Sequence, residues 1–251
     1  MAEGGEGAIP GAYVRPADTG HMTATPRLAL AGLFLLAATT GMVDAATFLG
    51  LGGVFTANMT GNVLLLGFST TRPTGTGYTA TAVLFGSLAA LLAFVAGALI
   101  GAAVAGRRGG RPRLWTGFGL EWALLATGFG LLFVDGATAG AVRYVVLVVL
   151  GLSMGTQNAV VRRMGVRDVN TTVLTTALAG LASDLVTVAG RPARAGRRVA
   201  TVVFLFGGAA VGAALEKEHP RWSVAGALVV LTVAVALMAR AGLLRTGTAV
   251  A

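Results

Sequence analysis

The chain has 251 residues, of which 55% are hydrophobic and only 12% charged, and its mean hydropathy is +0.78. A soluble domain carries about 25% charged residues; half that share cannot cover a water-facing surface, so the composition disfavours a soluble enzyme and argues for an integral membrane protein in a lipid bilayer. The formal charge of +9 comes from eighteen arginines and Lys217; clustered in short loops between apolar runs, they read as topological signals rather than as a nucleic-acid surface.

Residues 1–26 are rich in Gly, Ala, Pro and Thr without an apolar period. They are expected to form a disordered cytoplasmic tail, with Met22 as an alternative start. Residues 27–245 then read as one membrane domain. Leu28–Leu49 is about 33 Å long if helical, enough to cross a hydrocarbon core of about 30 Å. A signal peptide is the competing reading, weakened by the spans that follow and by Asp44 near the end of the segment. Five further spans are expected at Thr79–Ala105, Leu114–Val134, Ala141–Val161, Val199–Leu215 and Trp222–Ala239. Phe55–Phe68 and Thr171–Ala189 are short or studded with Thr, Asn and Gly, and each is either a tilted span or a re-entrant helix.

Arginine placement discriminates between these. Residues 106–113 hold Arg107, Arg108, Arg111 and Arg113; residues 162–170 hold Arg162, Arg163 and Arg167; residues 190–198 hold Arg191, Arg194, Arg197 and Arg198. All three clusters fall on the cytoplasmic side only if both Thr-rich segments dip in and return. The expected fold class is therefore all-α: a polytopic helical bundle of six full spans plus two re-entrant helices, with eight full spans as the alternative. Both termini are placed in the cytoplasm.

The two halves align weakly but in order. Gly41-Met-Val-Asp44-Ala45 matches Gly155-Thr-Gln-Asn158-Ala159, and the run Thr56 to Asn62 matches Thr171 to Ala177. Gly97 and Gly101 match Gly208 and Gly212, both pairs in a G-x-x-x-G spacing, and Trp115 matches Trp222. With three spans per half, repeat one (27–135) and repeat two (140–245) insert in opposite senses. Such inverted repeats are common in secondary transporters, whose sites form at the repeat interface around broken helices.

The residues Gly41-Met-Val-Asp44-Ala45, then Phe48-Leu49, then Gly53-Val-Phe-Thr56-Ala-Asn58-Met-Thr60-Gly61-Asn62, resemble the YoaK family of bacterial inner-membrane proteins, a domain of unknown function. The run Gly155-Thr-Gln157-Asn158-Ala159, then Arg162-Arg163, then Thr171-Thr172 and Thr175, is similar to the family's second signature. Thr176 departs from it, standing where the family's Thr-Gly pair would repeat. The resemblance spans roughly residues 28–240 and implies a polytopic membrane protein without an established substrate.

Intramembrane polar groups supply the candidate site. Asp44 is a candidate for binding a cation or proton, or for capping the re-entrant helix; the structural alternative is a carboxylate satisfied by backbone N–H groups. Thr56 and Thr60, and Asn58 and Asn62, would pair on helix faces at i and i+4 and could line a solute pathway, with Gln157, Asn158, Thr171, Thr172 and Thr175 opposite. Interhelical hydrogen bonding is the alternative for these residues. Glu121 is a secondary candidate, open equally to a transport role and to a structural pair with an arginine such as Arg143. Asp184 is a secondary candidate beside Arg191. Neither a nucleophile elbow, a phosphate loop nor a histidine metal motif occurs, and there is no cysteine, so no enzyme activity, cofactor or metal site is expected. An intramembrane enzyme using Asp44 and Asp184 is the least favoured option. The sequence thus points to a carrier or permease for a small solute or cation, with a non-transporting assembly or lipid-interacting protein as the alternative; a homo-oligomer is compatible with either.

Overall fold

The computed structural model describes residues 25–71, 75–108, 111–164, 179 and 192–246. Within them the chain forms α1 (Thr25–Gly50), α2 (Met59–Ser69), α3 (Ala80–Val104), α4 (Leu114–Leu131), α5 (Gly140–Arg163), α6 (Pro192–Glu216), α7 (Pro220–Arg240) and the short α8 (Leu243–Thr246). A two-residue antiparallel ladder, β1 (Arg107–Arg108) with β2 (Arg111–Pro112), closes the turn between α3 and α4. Five helices are long and apolar enough to cross a bilayer: α1, α3, α5, α6 and α7. The sixth expected span, α4, has 18 residues, about 27 Å; it falls outside that set because Glu121 sits near its middle. Helix α1 takes in residues 25 and 26, expected from sequence to belong to the tail. The expected tail through residue 24 and the segment Thr171–Ala189, Ala179 apart, lie outside the described residues.

Helix ends follow local chemistry. Thr79 caps α3 by accepting the Ala82 N–H at 3.2 Å, and His219 caps α7 with Pro220 in its first turn. After α1, Gly52 and Gly53 take φ of 140° and 69°, conformations that side chains resist, and the chain turns back.

Packing is governed by close backbone approach rather than by large side chains, as expected where lipid offers no hydrophobic drive between helices. Helix α6 runs parallel to α1: Phe34 stacks on Phe204 at 5.6 Å, Gly208 meets the backbone of Ala38, and Gly212 meets that of Met42. Helix α3 runs parallel to α5 in the same manner, with Gly97 against Leu152 and Gly101 against Thr156. Helix α7 runs antiparallel to α1, Gly32 meeting Met238 and Gly226 meeting Met42; α4 runs antiparallel to α5, Gly117 meeting Val160 and Gly128 meeting Leu150. The most apolar stretches of α1 and α5 are 67% and 72% buried, against 33% or less for α3, α6 and α7. These two helices therefore form the centre, and the others wrap them.

Chain direction sorts the ends onto two faces. Tyr78 O–H donates to the Leu49 carbonyl at 3.3 Å, so the chain returns to α3 at the end where it left α1. Arg143 lies 5.6 Å from the Tyr78 ring, Gly50 abuts Pro220, and Arg221 lies 5.2 Å from the Phe133 ring. These contacts gather the ends of α1, α4 and α6 and the starts of α3, α5 and α7 on one face. The opposite ends, with Arg113, Arg162, Arg163, Arg197, Arg198 and Arg240, form the second face. Helix α2, with 11 residues or about 16 Å, begins and ends within an excursion that departs from and rejoins the first face.

Candidate functional site

The excursion between α1 and α3 is built around one carboxylate. Asp44 lies on α1, a turn and a half before its end. Its Oδ1 accepts the Thr56 and Ala57 N–H groups at 2.9 and 2.8 Å and the Thr56 hydroxyl at 3.4 Å; its Oδ2 accepts the Asn58 N–H at 3.2 Å. Helix α2 begins immediately afterwards, capped by Asn58, whose Oδ1 accepts the Gly61 N–H at 3.3 Å. Asn62 closes the loop from the other side, taking the Phe55 N–H at 2.9 Å and donating to the Phe55 carbonyl at 2.6 Å. Phe48 and Phe55 stack at 4.7 Å beneath it.

The four alternating polar residues therefore separate into two roles. Thr56 and Asn62 are fully buried and hold the turn; Asn58 and Thr60 are exposed and face the adjoining cleft. The i, i+4 pairing expected of a continuous helix does not form for Thr56 or Asn58, because the chain is still turning through residue 58 to reach the Asp44 carboxylate and α2 starts at Met59.

The cleft lies between α1, α2 and α6 and has a volume of about 570 Å³. Asp44, Asn58, Thr60 and Thr40 make its polar wall; Phe48, Leu64, Leu205, Ala209 and Ala213 make the rest. Among the described residues Asp44 is its one ionisable group, and no three His, Cys, Asp or Glu side chains converge on a metal-sized site. Asp44 Oδ2 takes one hydrogen bond where Oδ1 takes three, which leaves it acceptor capacity.

Gln157 does not line this cleft. It is 2% exposed on α5, and its Nε2 donates to the Leu36 carbonyl at 3.3 Å and to Thr40 Oγ1 at 2.8 Å, so it touches the floor of the cleft from behind. Asn158 lies apart from it, in a second cleft of about 510 Å³ with Phe94, Ala98, Ala102, Arg162 and Arg163. Glu121 is buried in α4, both carboxyl oxygens lacking a hydrogen-bond partner among the described residues. The expected pairing with Arg143 does not form: that guanidinium lies against the rings of Tyr78 and Tyr144 and donates to the Tyr144 hydroxyl at 3.1 Å. Thr171, Thr172, Thr175 and Asp184 lie outside the described residues. Thr40, absent from the sequence reading, stands one helical turn before Asp44, a spacing that could have found it.

The chain is 34% identical over 134 residues to the UPF0700 transmembrane protein YoaK of Bacillus subtilis (strain 168), a match covering 52% of this chain and 55% of that protein. The aligned part thus spans about half the length of this curated relative. No solved structure matches the chain. The family model described as "Protein of unknown function (DUF1275)" matches residues 32–239, and the chain belongs to that family of membrane proteins.

Proposed function

We propose that this protein is a carrier for a small amphipathic solute, built from two inverted repeats of three spans each. The α1–α2–α6 cleft is its binding site. The observation that carries the reading is the cleft's composition: one carboxylate, an amide and two hydroxyls on one wall, apolar side chains on the others. A ligand fitting this has a cationic or donor-bearing head against Asp44, Asn58 and Thr60, and a compact apolar body against Phe48, Leu64 and Leu205. A few placed polar groups in a mostly apolar concavity are the usual make-up of small-molecule sites.

Matching contacts in the two halves support the repeat. Gly208 meets Ala38 and Gly97 meets Leu152; Ala38 and Leu152 each stand three residues before the aligned Gly41 and Gly155. Gly41 in turn meets Leu205 and Ala209, while Gly155 meets Phe94 and Ala98, again at corresponding places. The two clefts obey the same rule: Asp44 with Leu205, Ala209 and Ala213 in one, Asn158 with Phe94, Ala98 and Ala102 in the other. On this reading α4 is the sixth span, and the arginine-rich second face, with both termini, lies in the cytoplasm of a cell whose inner membrane holds the protein. The two clefts then sit toward opposite sides of the bilayer, as alternating access requires.

The test is reconstitution into liposomes with a panel of small organic cations and neutral amphiphiles. Uptake should occur for at least one member and fall at least tenfold when Asn58 and Thr60 both become Ala. A panel without uptake, or uptake indifferent to that change, would favour the second reading, a non-transporting assembly or lipid-interacting protein. That reading draws on the tight Gly contacts of α1 with α6 and of α3 with α5, and on a Gln157 enclosed by protein rather than facing a cavity.

A further inference from the structure

Glu121 is a fully buried acid within the bundle. It stands near the middle of α4 with no solvent exposure, and neither carboxyl oxygen has a hydrogen-bond partner among the described residues. Ser153 Oγ donates at 3.1 Å to the Glu121 backbone carbonyl, not to its side chain. Among the described side chains no neighbouring charge compensates: helix α3 carries no titratable residue, and those of α5 (Arg143, Tyr144, Arg162, Arg163) and α7 (Arg221, Arg240) sit near helix ends, while the four-residue α8 contains Arg245. An ionised carboxylate in such surroundings costs far more than binding a proton does. A neutral acid, however, carries an O–H that needs an acceptor.

An acceptor without a donor lies on the helix that faces it. The Leu36 carbonyl can only accept, so the Gln157 amide must turn Nε2 toward α1, and Oε1 is left buried with no partner. The antiparallel register of α4 and α5 sets the two residues at one level. Gly117 meets Val160, and Glu121 receives the Ser153 bond, so Glu121 falls level with the turn of α5 that holds Gln157.

We propose that Glu121 is a proton-binding site, a neutral carboxylic acid whose O–H is donated to Gln157 Oε1. Through Gln157 Nε2 that proton is tied to Thr40, on the floor of the α1–α2–α6 cleft. Loss of the proton to water would leave a carboxylate facing a carbonyl oxygen. Relief requires the amide to turn over, which withdraws Nε2 from Leu36 and Thr40 and opens the contact between α1 and α5. Proton occupancy is thereby linked to the helix that forms the cleft. The use of this link to couple transport to protons rests on the carrier reading; the protonated acid itself does not.

The test is infrared spectroscopy of the full chain in lipid at neutral pH, where exposed carboxyls are ionised and only a protonated one shows its C=O stretch. The band should be present, be lost in Glu121→Gln, and shift in Gln157→Leu, which removes the acceptor but leaves Glu121. Glu121→Gln should fold, since its amide N–H can donate to Gln157 Oε1 in the acid's place. A band that survives Glu121→Gln, or one that Gln157→Leu does not move, overturns the proposal. Neither measurement uses a transported solute, so a silent uptake panel and a missing band are separate failures.

Discussion

Asp44 Oδ1 accepts the Ala57 N–H at 2.8 Å across 13 residues of chain, and this contact determines where α2 begins. A carboxylate that takes three backbone N–H groups from one turn does the work of an N-terminal cap from a different helix. Replacing it removes charge-assisted hydrogen bonds, each contributing roughly 1.5–3 kcal/mol. Asp44→Ala is therefore expected to lower the melting temperature in detergent and to free the turn at residues 56–58. Because the chain has no cysteine, Asn58→Cys provides a clean reporter. Its maleimide labelling rate should rise in the Asp44→Ala background and stay unchanged when a remote exposed residue such as Lys217 is altered instead.

Adjacent glycines on α6 should respond in opposite directions. A Cβ at Gly208 would strike the backbone of Ala38, whereas one at Gly207 meets nothing within 4 Å. Gly207→Ala should stabilise by about 0.5–1 kcal/mol, the usual gain of Ala over Gly inside a helix. Gly208→Ala must push α1 and α6 apart and should cost about 1–3 kcal/mol. The same contrast is expected between Gly119, which is open, and Gly97, which is not. Thermal unfolding of the four single variants in one detergent checks this.

His219 gives the first face a pH response. Its Nδ1 accepts the Arg221 N–H at 3.2 Å, which requires a neutral ring. Burial, and after it the Arg221 charge, hold the imidazole below its ordinary value. A group whose folded value is lowered stabilises the fold above the ordinary value of about 6.5 and loses that contribution as pH falls toward the lowered one. The melting temperature should drop on acidification from pH 7 to pH 5, and His219→Asn, which caps without titrating, should drop less. Equal drops would remove His219 from the account.

Cysteine scanning tests the placement of the two faces. Lys217→Cys on the first face should react with a membrane-impermeant maleimide in intact cells. Arg163→Cys on the second face should react only after permeabilisation. Reaction of both from outside would contradict the six-span arrangement.

Helix positions were legible because apolar runs of spanning length leave little freedom, and the observed ends of α3, α5 and α7 fall within two residues of the expected ones. The short polar segment at 55–68 was legible as a tilted span or a re-entrant helix, with arginine placement favouring the second; the helix there has 11 residues, about 16 Å. The division of labour within it was not. A helical repeat places Thr56 beside Thr60 and Asn58 beside Asn62, yet the turn ends only at residue 58; Asp44 was legible as a carboxylate that caps the short helix or takes backbone N–H groups, as it does, but not which residues it would hold out of the helix. The fate of Glu121 was hidden for a related reason. Arg143 offered a plausible charge partner in sequence, but Tyr78 and Tyr144 hold that guanidinium at a helix end. The β ladder between α3 and α4 follows from tight closure of the turn, where Arg113 N–H reaches the Ala105 carbonyl at 3.4 Å, a long-range fact with no periodic signature.

The central position of α1 bears on how the protein is made. Its main neighbours, α6 and α7, lie far along the chain, so α1 waits while everything between Gly50 and Pro192 is made before it can meet them. During that interval the faces of Gly32 and Gly41, shaped for other backbones, have only lipid or insertion machinery to touch. The contacts of α3 and α4 with α5 can form before then, so a nascent chain halted before Pro192 would present a quality-control system with a partly packed trio of helices and one orphan, α1.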